Sequence, residues 1–154
     1  MLTIVFLDVA DPVASGFVSS LAHPGGNATG LANINIELSA KRLDLLAAIP
    51  RLSRVVVLGC CFGTPVDAIL HRFMDETITA AKAMRVSAKP MALRNLDDSP
   101  SLFSVIARDG ADALIVLPTQ RGSAYFLRTQ LPELAIKHGL PTMFDDRPMA
   151  EAAV

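Results

Sequence analysis

"RVVVLGCCFGTPVDAILHRFMDETITAAKAM", residues 54–84, sets a short apolar run against a long segment whose apolar residues recur at helical spacing. Residues 54–59 have strand length, carry apolar side chains on both faces and stop at a glycine. Pro65 suits the first turn of a helix over 66–84, in which Ile69, Leu70, Phe73, Ile78 and Ala81 form one stripe. A strand that is apolar on both faces must be covered on both faces. Followed by a helix, it points to a parallel sheet with right-handed crossovers.

The same alternation continues in both directions. "TIVFLD" (3–8), "VSAKPMAL" (86–93), "ADALIVLP" (111–118) and "LPTMFD" (140–145) are further strand-length runs bounded by Pro, Gly, Asp or Asn, and "TGLANINI" is a second short apolar run near the start. Helical spacing recurs over 13–21, 37–49, 101–108 and 123–138. The pattern predicts an α/β fold, a Rossmann-like doubly wound parallel sheet. In such sheets ligands bind beyond the carboxyl ends of the strands, where βα loops and helix N-termini converge. That fixes five loops to inspect: 8–15, 59–67, 93–101, 117–125 and 144–149.

Composition narrows the function. The chain has 154 residues, 51% of them hydrophobic, enough for a well-buried core. Fourteen basic against fifteen acidic residues give a net charge of −1 without a basic block, which argues against nucleic-acid binding. Apolar runs such as "VVVLGCCF" are too short to span a bilayer, so no membrane insertion is expected. The start, "MLTIVFLDVADP", lacks the basic region and cleavage site of a signal peptide. Cys60 and Cys61 are adjacent and close no useful disulfide loop, while His23, His71 and His138 lack zinc-site spacing, so neither metal nor other cofactor is expected.

Enzymatic motifs are absent. "GCCFGTP" has two glycines but not the Lys-Ser/Thr of a phosphate loop, and no G-x-S-x-G elbow occurs. The acidic pairs Asp97/Asp98 and Asp145/Asp146 follow strands as in a phosphoryl-accepting receiver, but Gly59 and Pro118–Thr119 occupy the strand ends where a receiver keeps its Asp and Lys. For "NLDDSPS" the favoured reading is a helix cap with solvated acids beside the helix N-terminus, while "FDDR" keeps both readings open. Asp11-Pro12 and Thr64-Pro65 both fit an N-cap followed by proline at the first helical position, with or without a ligand.

Two stretches carry a resemblance. "IVFLDVADPVASGFVSSLAHPGGNATGL", followed by "ELSAKRLDLLAAIPRLSRVVVLG", resembles the ABC transporter substrate-binding proteins of the tryptophan/tyrosine type. In that family a strand leads to a D-P-V-x-x-G-x-V-x-S-L helix, then P-G-G-N-x-T-G, then an A-K-R-L-x-L-L helix. "GADALIVLPTQ" and "HGLPTMFDDR" resemble its later strands. The resemblance implies a type I periplasmic-binding-protein-like lobe, with function outside the cytoplasm. Such proteins close two Rossmann-like lobes on a small solute and deliver it to an ABC permease, without catalysis. Family members are about twice this length, as two domains of ordinary size require. The resemblance therefore implies a truncated fragment, with 1–30 ending the first lobe and crossing over and 31–154 forming most of the second lobe. The rival readings are a free-standing flavodoxin-like or racemase-like enzyme domain and a receiver-like signalling domain.

On that reading, Pro24, Gly25, Gly26, Asn27, Thr29 and Gly30 form the hinge, the two glycines supplying permissive backbone angles and Asn27 and Thr29 bonding across the turn. The solute site takes Phe62 and Thr64 after the first strand of lobe two, Thr119 and Gln120 after a later one, Asp145 after the next, and Asp11 from the D-P-V motif opposite them. This set suits a zwitterion. Asp11 or Asp145 would meet an ammonium, Gln120, Thr64 and the helix N-terminus behind Pro65 a carboxylate, and Phe62 a side chain. Capping for Asp11 and Thr64, and core packing for Phe62, are the competing readings. The chain departs from the family at "GCCFGTP", where relatives carry an Asn/Pro-rich loop.

Overall fold

The computed structural model describes residues 2–33, 36–60, 67–117, 121–145 and 147–153. The chain divides into two compact units, Met1–Leu38 and Ser39–Val154.

The larger unit is the doubly wound sheet expected from the sequence. Strands β3 (Arg54–Cys60), β4 (Ser87–Leu93), β5 (Ala113–Val116) and β6 (Thr142–Met143) lie in the order β4-β3-β5-β6. All three pairings are parallel. Helices α1 (Ser39–Leu46), α2 (Asp67–Ala83), α3 (Ser99–Arg108), α4 (Arg121–Lys137) and α5 (Arg147–Glu151) complete it.

Strand β3 shows why two layers of helix are needed. Val55, Val56, Val57 and Leu58 are all buried, and successive side chains point to opposite faces. Val56 and Leu58 join Leu114, Val116, Phe103, Ile106, Leu131 and Met149 in one apolar cluster, against α3, α4 and α5. The other face is covered by α2. Its buried Leu70, Phe73, Met74, Thr77 and Ala81 follow the helical repeat, with the Thr77 hydroxyl donating to the Phe73 carbonyl at 2.8 Å.

Helices α2, α3 and α4 end alike. The amides of Val86, Ala111 and Leu140 each reach back five residues, to the carbonyls of Ala81, Ile106 and Ala135. The preceding residue takes a left-handed conformation: Arg85 (φ 60°), Gly110 (φ 69°) and Gly139 (φ 62°). These stops return the chain to β4, β5 and β6 after short loops.

The smaller unit holds β1 (Ile4–Val9) and β2 (Ala28–Ala32), a parallel pair in which Phe6 faces Gly30. Residues 13–21, expected to be helical, are not. The segment makes a single turn closed at both ends. The Ala14 amide donates to Asp11 Oδ1 at 2.8 Å at its start, and Gly16 takes φ 73° at its end, where the Phe17 amide returns to the Pro12 carbonyl at 2.9 Å. Gly16 in the left-handed region is a helix stop, and the apolar periodicity running through it hid the stop. Leu2, Val5, Leu7 and Leu31 are each at least two-thirds exposed, so this pair carries apolar side chains that its own unit does not cover.

Gly30 lets β1 and β2 approach. A side-chain carbon there would collide with the Phe6 carbonyl oxygen and lie 2.5 Å from its ring. Gly30→Ala should therefore cost about 1–3 kcal/mol locally. Amide hydrogen exchange checks it: protection should fall across β1 and β2 while β3 and α2 keep theirs, and unchanged protection in β1 would contradict the packing.

Asp112 staples the amino ends of β3 and β5. Its Oδ2 accepts from the Ser53 amide (2.9 Å), the Ser53 hydroxyl (2.8 Å) and the Arg54 amide (2.7 Å). These bonds, the Ser53 amide foremost, hold its carboxyl below the ordinary range. A depressed folded value means stabilisation that is complete above the unfolded pKa, about 3.9, and lost as pH falls through the folded one. Asp112→Asn should lower the thermal midpoint at neutral pH. The gap to the parent should narrow below about pH 4 and close in stronger acid, and a gap independent of pH would remove the charge from the account.

Candidate functional site

The order β4-β3-β5-β6 creates a switch point. From β3 the chain moves outward to β4, then crosses back to place β5 on the other side of β3. In an open parallel sheet the carboxyl edge at such a switch point is the usual place for a ligand. The Leu117 amide donates to the Leu58 carbonyl at 2.9 Å, which keeps β3 and β5 together at that edge. Phe62, Thr64, Thr119 and Gln120 belong to the loops after β3 and β5 and lie outside the described residues.

Asp145 is described. It follows β6 at the carboxyl edge, in an exposed position. Its electrostatic partner is Arg42 of α1, a residue the sequence reading did not single out. Burial pushes the Arg42 guanidinium's pKa down and the charge of Asp145 pulls it back up. Arg42 precedes Leu43, which is fully buried, so packing of α1 holds the arginine stem near the protein surface. The sequence signal was "AKRLDLL", a cation beside an apolar stripe. What the sequence could not supply is the partner, about a hundred positions away.

A concavity of about 310 Å³ opens beside the carboxyl end of β4. Met91, Leu93, Leu102 and Val105 give it an apolar floor, and Arg94 and Asp98 stand at its rim. In the 93–101 loop Asp98 occupies the N-cap position of α3 but makes no side-chain bond to the helix; its carboxylate accepts instead from the Asn95 side-chain amide at 3.1 Å.

In the smaller unit, Asp11 has the capping role weighed from the sequence, though over a single turn. Asn27 does not bond across its turn. Its side chain donates to the Leu2 carbonyl at 2.5 Å, and its own carbonyl accepts from the Ile4 amide at 2.8 Å, so it fastens the start of β1. Pro24 accepts from the Ser19 amide, and Gly25 takes φ 73°. Thr29 and Gly30 are strand residues within β2.

Sequence reasoning also missed Asp8, at the carboxyl edge of β1. It has φ 60°, and the β1–β2 register shifts between Leu7 and Val9. Asn33, just beyond β2, donates from its side-chain amide to Asp8 Oδ1 at 3.0 Å. A left-handed aspartate costs roughly 1 kcal/mol, which those contacts offset.

Among the described residues, no group of three or more His, Cys, Asp or Glu side chains could hold a metal, and no helix is long and apolar enough to cross a membrane.

Residues 1–151 match the sequence family described as ABC transporter substrate binding protein. The fold is similar to that of a conserved domain protein from Vibrio cholerae, with TM-score 0.78 and 20% identity. It is similar too to an ABC domain from Streptococcus pneumonia in complex with L-Trp, at 0.76 and 17%. A substrate-binding protein with adhesive properties from Clostridium difficile, ligand-free and open, gives 0.70 and 21%. Each likeness covers 97% of this chain and 48% of the other, so the chain spans about half the length of the solved structures it matches. No curated protein matches it.

Proposed function

The chain belongs to the ABC transporter substrate-binding protein family, and from that premise we propose that it forms part of a receptor for a small, amino-acid-like solute. The receptor works outside the cytoplasm, closes two lobes on the solute and presents it to an ABC permease. It acts by binding rather than by catalysis. The observation that carries this reading is the family match across nearly the whole chain. It is supported by a parallel sheet with a switch point at its carboxyl edge, the geometry that small-molecule sites in this fold class use.

The proposed division of labour follows the chemistry of a zwitterion. Asp145 or Asp11 takes the ammonium. Thr64, Gln120 and the N-terminal amides of α2 take the carboxylate, Phe62 packs the side chain, and Thr119 lines the carboxyl edge beside Gln120. Arg42, coupled electrostatically to Asp145, adds a cation to that edge. The segment Pro24, Gly25, Gly26, Asn27, Thr29 and Gly30 is the proposed hinge.

L-Trp, the molecule held by the Streptococcus pneumonia domain, is the natural first probe. A single chain spanning half of such a receptor supplies part of the contacts and cannot exclude water by closure. Titration of the 154-residue chain with L-amino acids, followed by NMR, should therefore show saturable binding with Kd of about 1 mM or weaker. Micromolar binding would show that closure is dispensable, and the absence of any perturbation would remove the solute-binding reading. Replacing Asp145 and Gln120 together by Ala should weaken that binding without unfolding the sheet, whereas unchanged affinity would take both out of the site.

A further inference from the structure

We propose that the concavity between β4 and α3 is a small-molecule site that takes an apolar carboxylate, with its body on Met91, Leu102 and Val105 and its anionic end on Arg94. The site lies within the larger unit and away from the switch point, because β4 ends the sheet order and β3 stands between it and β5. Its occupancy does not depend on the solute site proposed at that switch point.

The packing of α3 leaves an apolar stripe to spare. Phe103 and Ile106 are fully buried in the core and settle the helix on the sheet. Leu102 and Val105, each one position earlier, form a neighbouring stripe at the same spacing that is only half-buried. With Met91 and Leu93 of β4 they floor the concavity of about 310 Å³. Sites for small molecules begin at about 300 Å³ and are mostly apolar, with a few polar groups that fix orientation.

Three polar side chains surround that floor, and two are already engaged. The Ser101 hydroxyl donates to the Asp98 carbonyl at 2.8 Å, and the Asp98 carboxylate accepts from the Asn95 side chain at 3.1 Å. The Arg94 guanidinium has neither a hydrogen bond nor an ion pair among the described residues. The group left over is thus a cation beside apolar surface. A carboxylate matches the planar fork of a guanidinium, while the rest of such a molecule covers the floor.

Larger occupants suit the site less. A peptide could add as a strand at the β4 edge, but Pro90 has no amide to donate and Lys89 is held by Asp109 at 2.6 Å. Eight residues line the concavity, whereas a stable protein interface takes roughly 20–30 on each side.

The probes share one apolar body: 4-phenylbutyrate, 4-phenylbutylamine and the neutral 4-phenylbutanamide. The readout is the Met91 methyl resonance of the 154-residue chain, followed by NMR at low salt. The acid should shift it saturably with Kd of about 1 mM, and the amine and amide should bind about fivefold more weakly. Arg94→Gln, at an exposed position, should bring the acid down to the affinity of the amide at an unchanged thermal midpoint. Added salt should narrow the acid's advantage in the parent chain. Equal binding of acid and amine, an unmoved Met91 methyl, or parental affinity of the acid in Arg94→Gln overturns the proposal. So do acid-induced shifts confined to the carboxyl ends of β3 and β5, which would assign the acid to the switch point. A Met91 shift that follows protein concentration rather than ligand makes the floor a contact between copies and overturns it too. Should Arg94→Gln disturb the fold, the comparison of acid with amine on the parent chain decides alone.

Discussion

Everything in the larger unit depends on β3 being buried on both faces. Val55 to Leu58 offer no polar side chain to water, so the strand is stable only between two helical layers and two neighbouring strands. That requirement fixes the rest. Parallel neighbours need crossovers, and the crossovers supply the helices. Strands that all run one way deliver their carboxyl ends to one edge. The polar work is confined to the margins of this arrangement. Asp112 fastens the amino ends of β3 and β5, and the left-handed stops at Arg85, Gly110 and Gly139 return the chain to the sheet.

The features that the sequence disclosed are those that depend on periodicity. All six strand-length runs became strands, and four of the five helical stretches became helices, because apolar spacing records which face is buried and burial is what stabilises these elements. The fifth, 13–21, failed at Gly16, where a local conformational preference overrides the pattern. The short helix α5 escaped notice for the opposite reason. Over five residues only Met149 is buried, and a single anchor makes no period.

The candidate site was less legible, because its parts are defined by partners distant in sequence. "FDDR" shows acids after a strand, but the arginine that answers Asp145 comes from a helix a hundred residues earlier. Asp8 looked like the polar end of an apolar run. Its left-handed backbone is not written in its residue type, as it would be for glycine, and its tie to Asn33 spans 25 positions. The same limit applies to Asn27, whose Asn-x-Thr setting suggested a turn bond and whose side chain instead reaches back to the start of β1. Spacing locates loops. It does not say which side chains those loops will meet.

The two units differ in how much of their structure is held by their own contacts. In the larger unit the carboxyl edge is fixed by four strands between helical layers. The smaller unit has one parallel pair, with Leu2, Val5, Leu7 and Leu31 exposed, and a two-stranded sheet gains little stability alone. Opening of β1 from β2 is therefore the cheaper fluctuation. Asp8 and Asn33 lie on different sides of that opening, one in β1 and the other beyond β2, and their bond exists only when the strands are paired.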